Sequence, residues 1–182
     1  HGPDLGDDAL RATILFSGPS YLAAKDAQHI LAERYGVGAE LWSVTSYKRL
    51  REDAIDVQRR NRLNPLGDRL VPLVTRKLED SDGPIIAVSD WMGAVVGQIN
   101  RWTPRPMSVL GTDGFGRSDT REALRSFFEV DAAHIVVTVL NALARDGEIE
   151  RSVVAEAIEH FGIDPDRPDP AHPDTGATTL GR

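Results

Sequence analysis

The hydroxyl and carboxylate side chains of this 182-residue chain that could do chemistry fall into four groups: Ser17 to Ser20, Thr45 with Ser46, Ser89 with Asp90, and Thr112 with Asp113 and Asp119. Side chains of this kind cap helices, hold backbone amides or bind a ligand. To cleave or transfer a group they need a base beside them. No histidine or lysine belongs to any of the four groups, so no pair of nucleophile and base can be assembled from them. Asp113 and Asp119 together could in principle bind Mg²⁺. Asp119 is better used as a helix cap, however, and Asp113 in accepting N–H groups that shape its own loop. The chain has no cysteine, which removes a thiolate nucleophile, a disulfide frame and a cysteine zinc site. His29 sits in a helix among polar neighbours, and no metal spacing joins His172 to His134 or His160. No catalytic residue and no metal ligand is assigned.

The last group lies in the most distinctive stretch, Val109-Leu110-Gly111-Thr112-Asp113-Gly114-Phe115-Gly116-Arg117-Ser118-Asp119-Thr120-Arg121-Glu122. It reads as the end of a buried strand, a tight glycine loop and a helix opened by an Asp119/Glu122 capping box. The glycine spacing is neither G-x-G-x-x-G nor G-x-x-x-x-G-K-[ST], so a dinucleotide fingerprint and a P-loop are excluded. Asp113-Gly114-Phe115-Gly116 contains no kinase D-F-G, and the other kinase elements are missing too. Glycine-rich turns between strand and helix are common in α/β folds whatever they bind. Asp113, Gly114, Phe115, Gly116, Arg117 and Ser118 are therefore assigned to a contact loop, at an interface or lining a substrate channel.

Elements that would position these groups follow from the hydrophobic pattern. Strands are predicted at 13–16, 39–44, 84–88 and 107–110, the third apolar without alternation, as a strand covered on both faces reads. Helices are predicted from 22 to Gly36, at 47–61, at 71–78, from Ser89-Asp90 to Thr103, after Asp119, from Asp131 to Gly147, and from 153 to Gly162. Trp91, Val95, Ile99 and Trp102 fall on one side of the fourth helix and are expected in the core or an interface. The helix over 131–146 is apolar all round except for a stripe of His134, Thr138, Asn141 and Arg145, so something must cover it. The fold class is α/β: a mostly parallel or mixed sheet of four to five strands with helices on both faces. In such a sheet the four polar groups share the carboxyl edge, where ligands or partners are usually met. The domain reading is a linker at 1–11, one domain at 12–163 and a mobile, Pro- and Asp-rich tail at 164–182.

Composition bounds the role. The chain carries a formal charge of −7, with 41% hydrophobic and 27% charged residues. Apart from a cluster around Arg49, Arg51, Arg59, Arg60 and Arg62, read as a solvated helix face, basic residues are interleaved with acidic ones, which argues against a nucleic-acid footprint. No apolar stretch reaches the length of a membrane span. The chain opens on His1-Gly2-Pro3-Asp4 without Met or a signal-peptide pattern, which reads as a cut inside a longer protein.

Several strings carry a resemblance: Tyr35-Gly36-Val37-Gly38, Trp42-Ser43-Val44-Thr45-Ser46, Asn64-Pro65, the Val109 to Glu122 stretch, and Phe128-Glu129-Val130-Asp131. On these residues, and over 12–165, the chain resembles the C-terminal domain of the homodimeric bacterial pyruvate dehydrogenase E1 component. More distantly it is similar to the third domain of transketolase, where a Phe-Gly-x-Ser turn links the last strand to a helix. The resemblance implies a parent enzyme that uses thiamine diphosphate and Mg²⁺ to decarboxylate pyruvate and acetylate the lipoyl group of the E2 acetyltransferase. In that family the cofactor is held by the two preceding domains. Here there is no Gly-Asp-Gly followed by Asn-Asn at the thiamine spacing, so no catalytic or cofactor residue is carried over. The expected role is assembly, with the remaining E1 domains and a second E1 subunit as partners, in the cytoplasm and without nucleic acid or membrane. Two other roles stay open: a module that docks E2, its negative charge suiting a basic partner, and a free-standing α/β protein that binds a small anion in the crevice.

Overall fold

A computed structural model describes residues 5–171. The order is β1 (Leu10–Phe16), α1 (Tyr21–Tyr35), β2 (Val37–Ser43), α2 (Tyr47–Leu63), α3 (Leu73–Leu78), β3 (Ile85–Val88), α4 (Gly93–Gly97), β4 (Met107–Leu110), α5 (Arg121–Phe127), α6 (Ala132–Arg145) and α7 (Arg151–Phe161). The four strands form one sheet in the order β2-β1-β3-β4, and every pairing is parallel. The sheet is therefore at the lower end of the expected size, with no mixed strand. Strand β1 starts at Leu10, ahead of the apolar run at Thr13, because Leu10 and Arg11 pair with Val37 and Gly38 of β2.

Successive strand residues point to opposite faces, and the two faces feed two cores. Ala12 and Ile14 of β1, Val37 and Ala39 of β2, and Ile86 and Val88 of β3 pack with α1, α6 and α7. Leu15, Ile85, Ala87 and Met107 pack with Tyr47 and Ala54 of α2, Val74 and Leu78 of α3, and Val96, Ile99 and Trp102. All four residues of β3 are buried, as its unbroken apolar run requires. Edge strand β2 is exposed at Glu40 and Ser43. The buried Gln28 of α1 donates Nε2–H to Ala39 O at 2.6 Å. Ala23, Ala24, Ala27 and Leu31 give α1 a small-residue face for its packing in this layer.

The apolar helix α6 is covered from within. It packs against α1, α7 and strands β3 and β4, burying Ile135, Val136, Val139, Leu140 and Leu143. Residues 121–145 are together long and apolar enough to pass for a membrane span. Yet Glu129 takes a left-handed conformation, φ 58°, and breaks the run into α5 and α6. At this joint Val130 N–H donates to Arg125 O at 2.9 Å, closing α5 before Asp131 caps α6.

Of the segment 164–182, residues 172–182 lie outside the described part. Residues 164–171 return across α5: Arg167 donates to Ser126 O and sits over the Phe127 ring.

Candidate functional site

The four polar groups meet at the carboxyl rim of the sheet. Ser17 and Ser89 share a hydrogen bond at 2.7 Å, joining the ends of β1 and β3. Ser20 donates to Asp90 Oδ1 at 3.0 Å. Thr112, after β4, donates its hydroxyl to Asp90 O and its N–H to Trp91 O, the latter at 3.0 Å. Val44 N–H donates to Phe16 O at 2.8 Å, which ties in the end of β2. Ser20 and Ser89 are almost fully buried. These hydroxyls therefore spend their hydrogen bonds on each other and on the backbone, so the rim is a structural seam before it is anything else.

Asp113 departs from its expected role. Its two carboxylate oxygens accept the N–H of Gly93, at 3.2 and 3.1 Å, in a different corner of the rim. Gly93 opens α4, whose N-cap position is Met92 with no side-chain cap. Asp113 thus supplies from 20 residues away the cap expected of Ser89 and Asp90. Ser89 Oγ instead accepts Trp91 N–H at 3.2 Å.

The Asp119/Glu122 capping box is also corrected. Thr120 is the cap, its Oγ1 accepting Ala123 N–H at 3.3 Å, while Asp119 accepts Thr120 N–H at 2.7 Å. A carboxylate taken up by its own neighbour leaves the following hydroxyl to cap the helix.

The fourth helix is shorter than predicted. Glycines at 93 and 97 weaken it, and it gives way to a 3-10 turn at Asn100–Trp102. Asn100 fixes that turn by bonding both Met107 N–H and Met107 O, each at 3.0 Å. Val96, Ile99 and Trp102 point inward, while Trp91 is 67% exposed. Of the two expected places, core or interface, Trp102 takes the core, while exposed Trp91 lies outside it.

The three loop glycines have different uses. A Cβ on Gly111 would lie 2.5 Å from Gly93 N and 2.7 Å from Trp91 O, so the close approach of two corners requires glycine. Gly114 has φ 98° and faces the backbone of Pro170. Gly116 has an ordinary φ and open space around it. Phe115 projects at the loop tip, 86% exposed, and Ser118 is exposed beside it. Arg117 stacks over Phe127, 4.2 Å from the ring centroid.

Two clefts of about 500 Å³ each open on the rim and share Pro19 and Asp90. One runs from Ser17 past Thr45 to Trp91. The other lies between the glycine loop and α5, with Arg117, Arg121 and Arg125 on its walls. Among the described residues, no three His, Cys, Asp or Glu side chains converge as a metal-ligand set. The rim carboxylates Asp90, Asp113 and Asp119 are turned to Ser20, Gly93 and Thr120 rather than toward one common point.

Away from the rim, Asp131 caps α6 by accepting His134 N–H at 3.0 Å and lies 2.7 Å from the His134 Nδ1. Burial works against its charge, but the hydrogen bonds from the His134 ring and amide outweigh it and hold the carboxyl below its ordinary value of 3.8. His134 and Thr138 are half-buried, whereas Asn141 and Arg145 are exposed. The polar stripe therefore begins against the core and ends in solvent.

Comparison with known proteins agrees with this architecture. The family model of the transketolase-like C-terminal domain matches residues 5–131. The chain is 47% identical over 156 residues to the pyruvate dehydrogenase E1 component of Mycolicibacterium smegmatis, an alignment covering 86% of this chain and 17% of that protein. It is 48% identical over 154 residues to the protein of the same name from Mycobacterium tuberculosis, covering 85% and 17%. The Escherichia coli K12 protein is 44% identical over 161 residues, covering 88% and 18%. The chain thus spans under a fifth of the length of these relatives.

Proposed function

The chain belongs to the transketolase-like C-terminal domain family, and from that premise we propose that it is the assembly domain of a pyruvate dehydrogenase E1 component. The parent enzyme would decarboxylate pyruvate with thiamine diphosphate and Mg²⁺ and pass the acetyl unit to the lipoyl group of E2 in the cytoplasm. The other E1 domains would hold the cofactor. Among the described residues no set of ligands converges to hold its Mg²⁺, so no chemical step is assigned to this chain. Its work is to present a rigid rim to the rest of E1 and to a second subunit.

One observation carries this reading: exposed apolar side chains stand on a rim where Ser17, Ser20, Ser89, Asp90, Thr112 and Asp113 are already engaged with one another or with backbone. Trp91 and Met92 are exposed on one corner and Phe115 on the next, and a backbone hydrogen bond from Thr112 to Trp91 locks the corners together. A wet catalytic crevice would keep its hydroxyls and carboxylates free. A contact surface keeps an apolar centre on a fixed backbone. The loop Asp113 to Ser118 is assigned to that contact, where it would also border the approach to the active site.

The test is complementation. This chain and the remaining E1 domains, expressed as separate polypeptides, are expected to copurify and to recover pyruvate-dependent acetylation of E2, while each alone is inactive. Trp91→Ser with Phe115→Ser is expected to weaken the association at least tenfold, since exposed aromatic anchors are where interface energy concentrates. Retention of this chain by E2 alone, with no association to the E1 domains, would replace the assembly role with E2 docking.

A further inference from the structure

We infer that the cleft between the glycine loop and α5 is a binding site for a small amphipathic oxyanion, a carboxylate or phosphate carried on an apolar body. The inference goes beyond the assembly role and does not depend on it.

A cluster of arginines is the first observation. In this chain of net charge −7 some arginines find acids, as Arg49 does Glu52 and Arg60 does Asp56. Arg117, Arg121 and Arg125 share one cleft, and among the described residues none of them has a carboxylate partner. Two of the three are held in place without being neutralised. Arg125 donates to Pro19 O at 2.8 Å, and Arg117 lies over the Phe127 ring. The Arg121 guanidinium has no hydrogen-bond or ion-pair partner among the described residues. Asp90 and Asp119 also line the cleft, bonded only by the neutral donors Ser20 and Thr120 N–H, so three guanidinium groups face two carboxylates and the cleft keeps a positive balance.

Shape and floor are the second observation. The cleft holds about 500 Å³ at the carboxyl ends of β1, β3 and β4, and its floor includes Leu124, Phe128 and Val130. The chain leaves β1 for β2 on one side and β3 for β4 on the other, so strand order reverses between β1 and β3, beside the cleft, the usual ligand position in open parallel sheets. The volume suits a small organic molecule. A bare inorganic ion would leave the apolar floor uncovered, while a neutral apolar molecule would leave that positive balance unanswered. Guanidinium recognises carboxylate and phosphate alike, so the head group is left to the test.

The 182-residue chain is titrated calorimetrically at low salt with phenyl phosphate, phenylacetate and inorganic phosphate. At least one aromatic anion is expected to bind one to one with Kd below about 1 mM and at least tenfold more tightly than inorganic phosphate. Whichever binds tighter identifies the head group. Arg121→Gln is expected to weaken it about fivefold or more with the melting temperature of the free chain unchanged, and Arg117→Gln is expected to weaken it likewise. Any one of three results overturns the proposal: no saturation by either aromatic anion up to about 10 mM, affinity that Arg121→Gln leaves intact, or equal affinity for inorganic phosphate, which marks an adventitious ion only. Failure here leaves the complementation test untouched, and failure there leaves this titration untouched.

Discussion

Gly111 and Gly116 are five residues apart in the same loop, yet only one is structurally obliged to be glycine. A methyl group on Gly111 would strike the backbone of Gly93 and Trp91 at under 3 Å, whereas on Gly116 it meets nothing within 4 Å. Gly111→Ala is therefore expected to cost about 1–3 kcal/mol as an overpacking change, and Gly116→Ala less than about 0.5 kcal/mol, as at an ordinary surface site. Denaturant melts of the two variants check the contrast, and equal losses would mean that the corners do not approach this closely. From the sequence the three glycines looked equivalent. The difference arises from Trp91 and Gly93, and local spacing says nothing about neighbours 20 residues away. Tyr47 shows the same limit. It is 6% exposed, its hydroxyl has no hydrogen-bond partner among the described residues, and burial pushes its pKa far up. Removing a buried, unsatisfied hydroxyl relieves a desolvation cost of about 1–3 kcal/mol. Tyr47→Phe is thus expected to raise the melting temperature by about 2–4 °C or more; a fall would show that the hydroxyl is satisfied in solution.

At the scale of elements, helix ends were the best and worst legible features. Ser46 caps α2 by accepting Arg49 N–H, Asp131 caps α6, and Gly36 and Gly162 close α1 and α7, all as local pattern indicates. Those are decisions within one turn. The cap of α4 was illegible because its acceptor, Asp113, comes from another corner of the sheet. Helix α6 offers a pH test of its cap. Asp131 is held below its ordinary value of 3.8 in the folded chain, so its stabilisation is fully present above that value. It is lost as pH falls through the lower folded value, where the folded chain must take up the proton. Asp131→Ala is expected to destabilise by about 1 kcal/mol near neutral pH, with the gap from the parent chain narrowing below about pH 4. A gap that stayed constant down to pH 2.5 would mean that the carboxylate charge contributes nothing to the cap.

For the whole molecule, parallel order and two-faced burial followed from alternation of strands and helices, since an unbroken apolar strand such as β3 needs cover on both sides. The cover of α6 did not, because an apolar helix reads alike whether its own domain or another subunit buries it. The same blindness applies to the chain after Gly162, whose Pro and Asp content gives no pattern to read, although Arg167 reaches back to the glycine loop's support. Arg117 and Arg167 both approach the Phe127 ring, at 4.2 and 5.0 Å, and Arg167 also donates to Ser126 O. Pro170 then lies against Gly114. This links residues after α7 to the corner after β4 and gives the exposed loop a backing that its own sequence lacks. Each such cation–π contact is worth about 0.5–1 kcal/mol at an exposed site. That is small against global stability but large against the opening of one loop. Arg167→Ala is accordingly expected to speed amide exchange at Gly114 to Ser118 by about threefold or more, while amides of α1 and β3 exchange as before. Unchanged exchange in the loop would show that Arg167 does not restrain it, leaving Thr112, Asp113 and the Arg117–Phe127 contact to do so.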